Sequence, residues 1–375
     1  MRPVDKHGAG RHAPRVSDAL KHSPLEAAHV ELGGKLVPFA GWNMPVQYTS
    51  IMDEHAAVRG KAGVFDISHM GQFLVSGPTA AQWLNGLLTN DIDKLEVSQG
   101  QYTLMLNERG GVVDDLIVYR TSPHEFFLVV NASKIEEDFE WLNARKSTEV
   151  KLLDYSMMFA GLAIQGPEAS AIFSSVFPDQ SLPPRNGISN LEGCLVCRTG
   201  YTGEDGFEFF VHPANAVYYW ERFLAAGAKP CGLGARDSLR LEMGYPLNGS
   251  DLSPERSPLE AGLGFFVDLE KGDFIGRDVL AKQKAEGLTT KLVGLRYTDK
   301  GAPPRAHYGV YSPEGETLGE LSSGVLSPSL GQGIGMAYLP VAWTKLGTEL
   351  TVDVRGRRFP AKVVKKPFYK PAPKS

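Results

Sequence analysis

The sequence predicts an α+β fold that gives way to an all-β unit near its C-terminal end. Three observations carry this expectation. Strand-like runs and amphipathic helices are mixed without strict βαβ alternation, which argues against a doubly wound sheet. A series of elements in the first part of the chain recurs in comparable order in the middle. From Leu292 onward the helical patterns stop, and short strand candidates alternate with Gly, Pro and Ser, the texture of a small barrel or sandwich.

Taken in order, Ser50-Ile51-Met52-Asp53 offers a capping box for a helix running to about Lys61. Strands are expected at Val64–Ile67 and Gln72–Val75, followed by a helix from Pro78 to Leu88. Tyr102–Leu106, Val112–Tyr119 and Phe126–Val130 read as strands, joined by hairpin turns at Arg109-Gly110-Gly111 and Ser122-Pro123-His124. Ile135, Phe139 and Leu142 give helical periodicity to Lys134–Ala144. The second series begins with a strand at Phe159–Ile164 and a helix at Pro167–Phe177. A hairpin of Leu195–Arg198 with Phe207–Val211 follows, then helices at Ala214–Ala225 and Ala235–Met243. The all-β part holds candidates at Leu292–Tyr297, Gly309–Tyr311, Thr317–Ser322, Ile334–Tyr338, Leu350–Val354 and Phe359–Val364. Residues 1–22 are expected to be a disordered extension, 23–285 the α+β region, and 286–375 the all-β unit with a basic tail.

Composition bounds the function. At 375 residues, 42% hydrophobic and 22% charged, the chain has the make-up of a soluble globular protein of two or three domains. The net charge of -4 hides an asymmetry: from Arg355 onward there are basic residues and no acidic ones, over an acidic body. That tail is either a solvated terminus or an attractor for an anionic ligand or acidic partner. Nucleic acid is not expected, because no zinc-knuckle spacing or aromatic RNA-binding signature is present. No apolar stretch approaches the roughly 20 residues that span a bilayer, so no membrane association is expected. Cys194, Cys197 and Cys231 make no disulfide framework. Cys194 and Cys197 have C-x-x-C spacing, but on a strand they point to opposite faces, and nothing completes a metal site. No metal is expected, and a reducing compartment fits.

Three constellations carry candidate chemistry. Adjacent carboxylates Asp114 and Asp115 lie in the apolar strand Val112–Tyr119, where a buried charge must be paired or hydrogen-bonded. Neighbours in a strand face opposite sides, so one carboxylate can meet a ligand while the other is solvated. A three-residue loop at Ser122-Pro123-His124 sets Asp115 opposite Asn131, subject to the register. The second is Arg198-Thr199-Gly200-Tyr201-Thr202-Gly203-Glu204-Asp205-Gly206-Phe207-Glu208, which reads as a glycine-rich hairpin. Tyr201 offers a flat amphipathic surface there, and Glu208, among aromatic residues, suits the paired N–H groups of an aminopyrimidine ring such as a pterin. The third is the helix carrying Arg236 and Arg240, read either as an intrahelical ion-pair network or as an arginine aimed at a carboxylate. His69 reads as a structural histidine, since no nucleophile partners it, and Gly331-Gln332-Gly333-Ile334-Gly335 lacks the flanks of a dinucleotide motif.

Together these segments closely resemble the aminomethyltransferase family, the T-proteins of the glycine cleavage system. The matching pieces include Gly41-Trp42-Asn43-Met44-Pro45, Phe65-Asp66-Ile67-Ser68-His69-Met70-Gly71, Leu88-Thr89-Asn90-Asp91 and Gly110-Gly111-Val112-Val113-Asp114-Asp115. They continue with Arg198 to Glu208, Gly232 to Glu242, Ser327-Pro328-Ser329-Leu330-Gly331 and Lys365-Lys366-Pro367-Phe368-Tyr369. The resemblance implies three domains around a central folate site: two interwoven α+β subdomains and a small β-barrel. It implies that an aminomethyl group on the lipoyl arm of H-protein gives its methylene to tetrahydrofolate, the co-substrate, with release of ammonia. By motif position Asp115 corresponds to the catalytic aspartate and Asn131 to a site residue beside it. Tyr102, Tyr201, Glu208 and Arg236 correspond to residues around the folate, and Tyr369 to a substrate-contacting tyrosine. Asp115 is expected to orient the folate and to stabilise cationic character on the transferred carbon, with Asp114 the less important neighbour on the other face. A related folate-dependent demethylating enzyme and a non-catalytic folate-binding accessory protein are the competing readings. A monomer is expected, in the cytoplasm or, in a eukaryote, the mitochondrial matrix; the N-terminal extension departs from the family's usual pattern.

Overall fold

The structure is a computed structural model that describes residues 20–371. Two sheets stack face to face, with helices on their outer sides. The first sheet has the order Gly100–Leu106, Val112–Ser122, Glu125–Val130, Gly71–Ser76, Lys151–Asp154. The second runs Ile188–Leu191, Cys194–Cys197, Gly206–Val211, Ala160–Gln165, Gly63–Asp66, Lys229–Cys231. Gly63–Asp66 precedes the whole first sheet in sequence, yet it pairs antiparallel with Ala160–Gln165 and parallel with Lys229–Cys231. The two halves of the α+β region are therefore interwoven.

Period-two alternation decides which side chains enter which layer. Phe207, Phe209 and Val211 pack outward against helices Ala169–Val176 and Ala216–Ala225. Phe210 of the same strand joins Phe65, Tyr119, Phe127 and Val129 between the sheets. Leu116 and Val118 face the helices Ala80–Leu87 and Ile135–Asn143, while Ile117 and Tyr119 face the inter-sheet layer. Cys194 and Cys197 divide between the outer and inner layers in the same way, and burial pushes both thiols up. They are not a working dithiol.

Six strands close the C-terminal barrel in the order Thr290–Tyr297, Gly333–Pro340, Thr317–Leu326, Gly309–Tyr311, Glu349–Val354, Arg357–Val364. Leu292, Ile334 and Met336 pack with Leu104, Leu106, Val112 and Leu241, so one apolar cluster joins barrel and α+β region. Polar contacts fasten the same junction. On the helix Leu233–Glu242, Arg240 is buried and donates to Asp251 (2.7 Å), Ser323 Oγ (2.8 Å) and Tyr245 O (3.1 Å). Two residues on, Glu242 accepts from Ser329 N (3.0 Å) and from Arg59 Nη2 (2.9 Å). Burial alone would push Glu242 up, but His55, Ser327 and Arg59 hold it down at about 2.

The structure departs from the sequence reading at several points. Lys21 and His22, placed at the end of a disordered extension, form a short strand parallel to Trp42–Asn43. The rest of that extension, residues 1–19, lies outside the described residues. Strands at Lys35–Phe39, Trp42–Gln47, Lys151–Asp154, Ile188–Leu191 and Lys229–Cys231 were not expected; all but Trp42–Gln47, the centre of a three-stranded sheet, lie at a sheet edge, where a short strand need not alternate strongly. A helix at Arg277–Glu286, not expected from the sequence, runs up to the division placed between residues 285 and 286. Among the described residues, no helix is long and apolar enough to cross a membrane.

Replacing Arg240 with Met leaves Asp251 buried with only Ser322, Ser323 and the Leu247 amide as donors. We expect a loss of about 3 kcal/mol, read from the urea midpoint at unchanged m-value. A loss below about 1 kcal/mol would show that the ion pair does not hold the junction.

Candidate functional site

Asp115 sits on the strand Val112–Ser122 and shares its inward side with Ile117 and Tyr119. Pairing sets Leu104 opposite Asp115 and Tyr102 opposite Ile117, so Tyr102 reaches Asp115 diagonally. Its hydroxyl donates to Asp115 Oδ2 at 2.8 Å, and its ring lies edge-on to Phe266 at 4.7 Å. The hairpin register runs from Arg120↔Phe126 to Ile117↔Val129, which brings Asn131 across from Asp115 as expected. The turn itself differs. Ser122 pairs with Glu125, leaving Pro123 and His124 as the loop, and a register irregularity between Arg120 and Ser122 absorbs the extra residue.

Asn131 is the clamp of the site. Its Nδ2 donates to Asp115 Oδ1 (3.0 Å), to Asp115 O (2.9 Å) and to Asp114 Oδ1 (2.8 Å). Its backbone N–H donates to Asp114 Oδ2 at 3.1 Å. Asp114 does lie on the opposite side of the strand, but the solvated placement weighed for one of the pair is corrected: it is 0% exposed. Its companion Asp115 is partly exposed, and burial followed by the charge of Asp114 pushes it up to about 7 against the pull of Tyr102, Asn131 and Asn248. A carboxyl there is poised near neutrality, able to act in either protonation state.

Glu208 lies on the strand Gly206–Val211 and alternates inward with Phe210. Thr199 Oγ1 donates to it at 2.8 Å and also meets the Tyr119 hydroxyl at 2.7 Å. Burial pushes Glu208 up, while the facing Arg236 and the Thr199 hydroxyl pull it down. The Arg236 guanidinium lies 5.0 Å from the Tyr201 ring centroid, and its Nη1 has no hydrogen-bond partner among the described residues. Tyr201 stacks on Tyr245 at 5.8 Å and donates its hydroxyl to Pro246 O. The two readings of the arginine helix thus part company: Arg240 belongs to an ion-pair network that reaches the barrel, and Arg236 is the one facing a carboxylate.

Tyr369 stands in another group. Its ring covers Arg59 at 4.2 Å, in a cluster with Glu204 and Glu242, and its backbone N–H donates to Glu242 O. His69 is buried and held neutral, down at about 4 by burial and by Arg236; its Nδ1 has no hydrogen-bond partner among the described residues, and its ring meets Phe39 edge-on. Lys366 of the basic tail is partly buried, its stem packed against Gly244 and Gly294 and its Nζ 3.8 Å from Met336 Sδ. Thr199 and Asn248 were not picked out as functional from sequence. Asn248 comes from the irregular segment after Met243, where no periodicity marks a residue as inward-facing.

Residues 25–271 match the GCVT N-terminal domain family, and residues 290–370 match the glycine cleavage T-protein C-terminal barrel domain. The chain is 46% identical to an aminomethyltransferase of Symbiobacterium thermophilum, with 95% of this chain and 99% of that one covered. It is likewise 46% identical to an aminomethyltransferase of a Geobacillus species over 94% of this chain and 100% of that one. The crystal structure of the glycine cleavage system aminomethyltransferase T from Bartonella henselae superposes with a TM-score of 0.90 at 35% identity, covering 94% and 99% of the two chains.

The raised proton affinity of Asp115 has a stability consequence. Between the ordinary carboxylate range and about 7 the folded state holds a proton that the unfolded state has lost, so this group's contribution falls as pH rises through that window. Asp115→Asn is therefore expected to gain about 1–3 kcal/mol relative to wild type on moving from about pH 4 to pH 8. Urea denaturation at both pH values reads it. An equal difference between the proteins at both ends would mean that Asp115 titrates normally.

Proposed function

Because the chain belongs to the glycine cleavage T-protein family, its activity is that of an aminomethyltransferase, and we propose tetrahydrofolate as the acceptor and the lipoyl arm of H-protein as the donor. The observation that carries the acceptor is the charge pairing of buried Glu208 with the half-buried Arg236, beside the layer onto which Asp115 opens. A carboxylate and a guanidinium with an unpaired Nη1 suit a pterin, whose amino and ring N–H groups donate and whose carbonyl accepts. Tyr201, carrying Arg236 on its face, and Tyr102 add the flat walls that a ring system needs.

Tetrahydrofolate supplies the amine nitrogen that takes up the carbon. Asp115 is the catalytic residue in this reading, held at one oxygen by Tyr102 and at the other by Asn131. It orients the acceptor and places negative charge beside the methylene carbon. That carbon becomes electron-poor as its bond to sulfur breaks, with the bonding pair leaving on sulfur. The nitrogen of the aminomethyl group departs as ammonia when a second folate nitrogen takes its place on the carbon, giving 5,10-methylenetetrahydrofolate. Orientation and preorganised charge account for the rate, and no protein nucleophile takes part. Tyr369, which stands over Arg59 and not with Glu208 and Arg236, is assigned to the aminomethyl donor rather than the folate.

Ammonia release is expected only when lipoylated H-protein carrying the aminomethyl group and tetrahydrofolate are both present. Asp115→Ala should lower it by about 100-fold or more while folate affinity and the circular dichroism spectrum stay close to wild type. Near-normal release from that variant would remove Asp115 from the mechanism. In the tail, Lys365 and Lys370 are exposed and Lys366 is not free to act. Replacing Lys365 and Lys370 by Gln is expected to weaken H-protein binding about two- to tenfold at low salt and little at high salt. Unchanged low-salt affinity would exclude the tail from that contact.

A further inference from the structure

The helix Ile135–Asn143 turns Ile135, Asp138 and Leu142 toward the first sheet. Positions three and seven residues from Ile135 lie on one apolar stripe, so Asp138 stands where an aliphatic side chain would be expected. Its residue exposure is 0%, and neither carboxyl oxygen receives an N–H or hydroxyl donor among the described residues. The polar group that meets it is the Asp114 carboxyl, also at 0% exposure. Of the charged groups on its own helix and the preceding turn, Lys134 is engaged by Glu137 at 2.7 Å.

Two carboxyls in contact, buried and without a cation between them, hold one proton between them. Which of the two carries it is decided by their other partners. Asp114 already accepts from the Asn131 amide N–H and from Asn131 Nδ2, both of which favour an ionised acceptor. Asp138 has no such donors, so it is the acid and Asp114 the carboxylate. We propose that Asp138 is a positioning residue of the aminomethyl transfer. As a neutral acid it donates to Asp114, fixes Asp114 as the charged acceptor of Asn131, and through Asn131 sets the orientation and proton affinity of Asp115. The chain of contacts runs Asp138, Asp114, Asn131, Asp115, from the outer helix layer through the strand to its inner side. The groups facing its far end are Tyr102, Tyr201 and Asn248, none of which supplies a compensating positive charge. The kinetic part of this proposal rests on the transferase reading; the protonation of Asp138 does not.

The test uses Asp138→Leu, which fits the apolar stripe and cannot donate, and Asp138→Asn, which keeps a donor. In Asp138→Leu, Asp114 must take the proton itself, and the negative charge that raises Asp115 is lost. Turnover is expected to fall about tenfold with the KM for tetrahydrofolate unchanged, and the acid limb of the kcat–pH profile moves to lower pH. Asp138→Asn recovers most of the turnover and returns the limb. Wild-type turnover and limb position in Asp138→Leu, or equal impairment in both variants, would overturn the proposal. Infrared spectroscopy of the folded protein well above neutrality, where Asp115 is ionised, gives a readout free of catalysis. A protonated-carboxyl band present in wild type and lost in Asp138→Asn is expected, and a band that is absent or survives the substitution would overturn the proposal whether or not Asp138→Leu folds. If wild type released no ammonia yet showed that band, the reading of the reaction would fail and the proton on Asp138 would stand.

Discussion

The alternation of side chains along two stacked strands governs the rest of this molecule. On Val112–Ser122 it turns Asp115 into the layer between the sheets, and on Gly206–Val211 it turns Glu208 into the same layer. A slip of one residue would exchange Asp115 for Leu116 or for Asp114, and Glu208 for a phenylalanine, and so break up the constellation. Register is therefore the constraint that the apolar packing must protect. Phe207, Phe209 and Val211 on one face, and Leu116 and Val118 on another, anchor each strand to its own helices and make a slip costly.

Much of this was legible in the sequence because it depends on near-neighbour geometry. The hairpin spacing set Asn131 against Asp115, and the glycine-rich run placed Tyr201 ahead of a strand carrying Glu208. The resemblance of ordered segments then gave the fold and the chemistry together. What escaped was of a different kind. Edge strands such as Lys151–Asp154 and Ile188–Leu191 are defined by the strand they join, not by a pattern of their own. Asn248 reaches Asp115 from a segment without periodicity. The helix Ile135–Asn143 was read from Ile135, Phe139 and Leu142, which left Asp138 looking like an ordinary polar residue when it lies squarely on the buried stripe. The burial of Asp114 followed from that helix and not from its own strand.

Charge is distributed by layer as well. At the barrel junction buried ions are paired: Arg240 with Asp251, Arg59 with Glu204 and Glu242. Around the strand bearing the site the balance is reversed: three carboxyls, Asp114, Asp115 and Asp138, are served by the neutral donors Asn131, Asn248 and Tyr102. The first arrangement holds charges fixed over a wide pH range. The second makes protons labile near neutrality, which is what a group handling a developing cation requires.

The placement of Gly63–Asp66 has a bearing on how the chain is made. That strand emerges early in synthesis, but its two neighbours, Ala160–Gln165 and Lys229–Cys231, lie far downstream. Until the first of them has left the ribosome, Val64 and Phe65 have no sheet to enter, and the wall they help to form stays incomplete until the second has followed. The α+β region therefore cannot mature half by half as the chain emerges. It waits for a long-range closure, with the entropic delay and transient exposure of apolar strand that such closures bring.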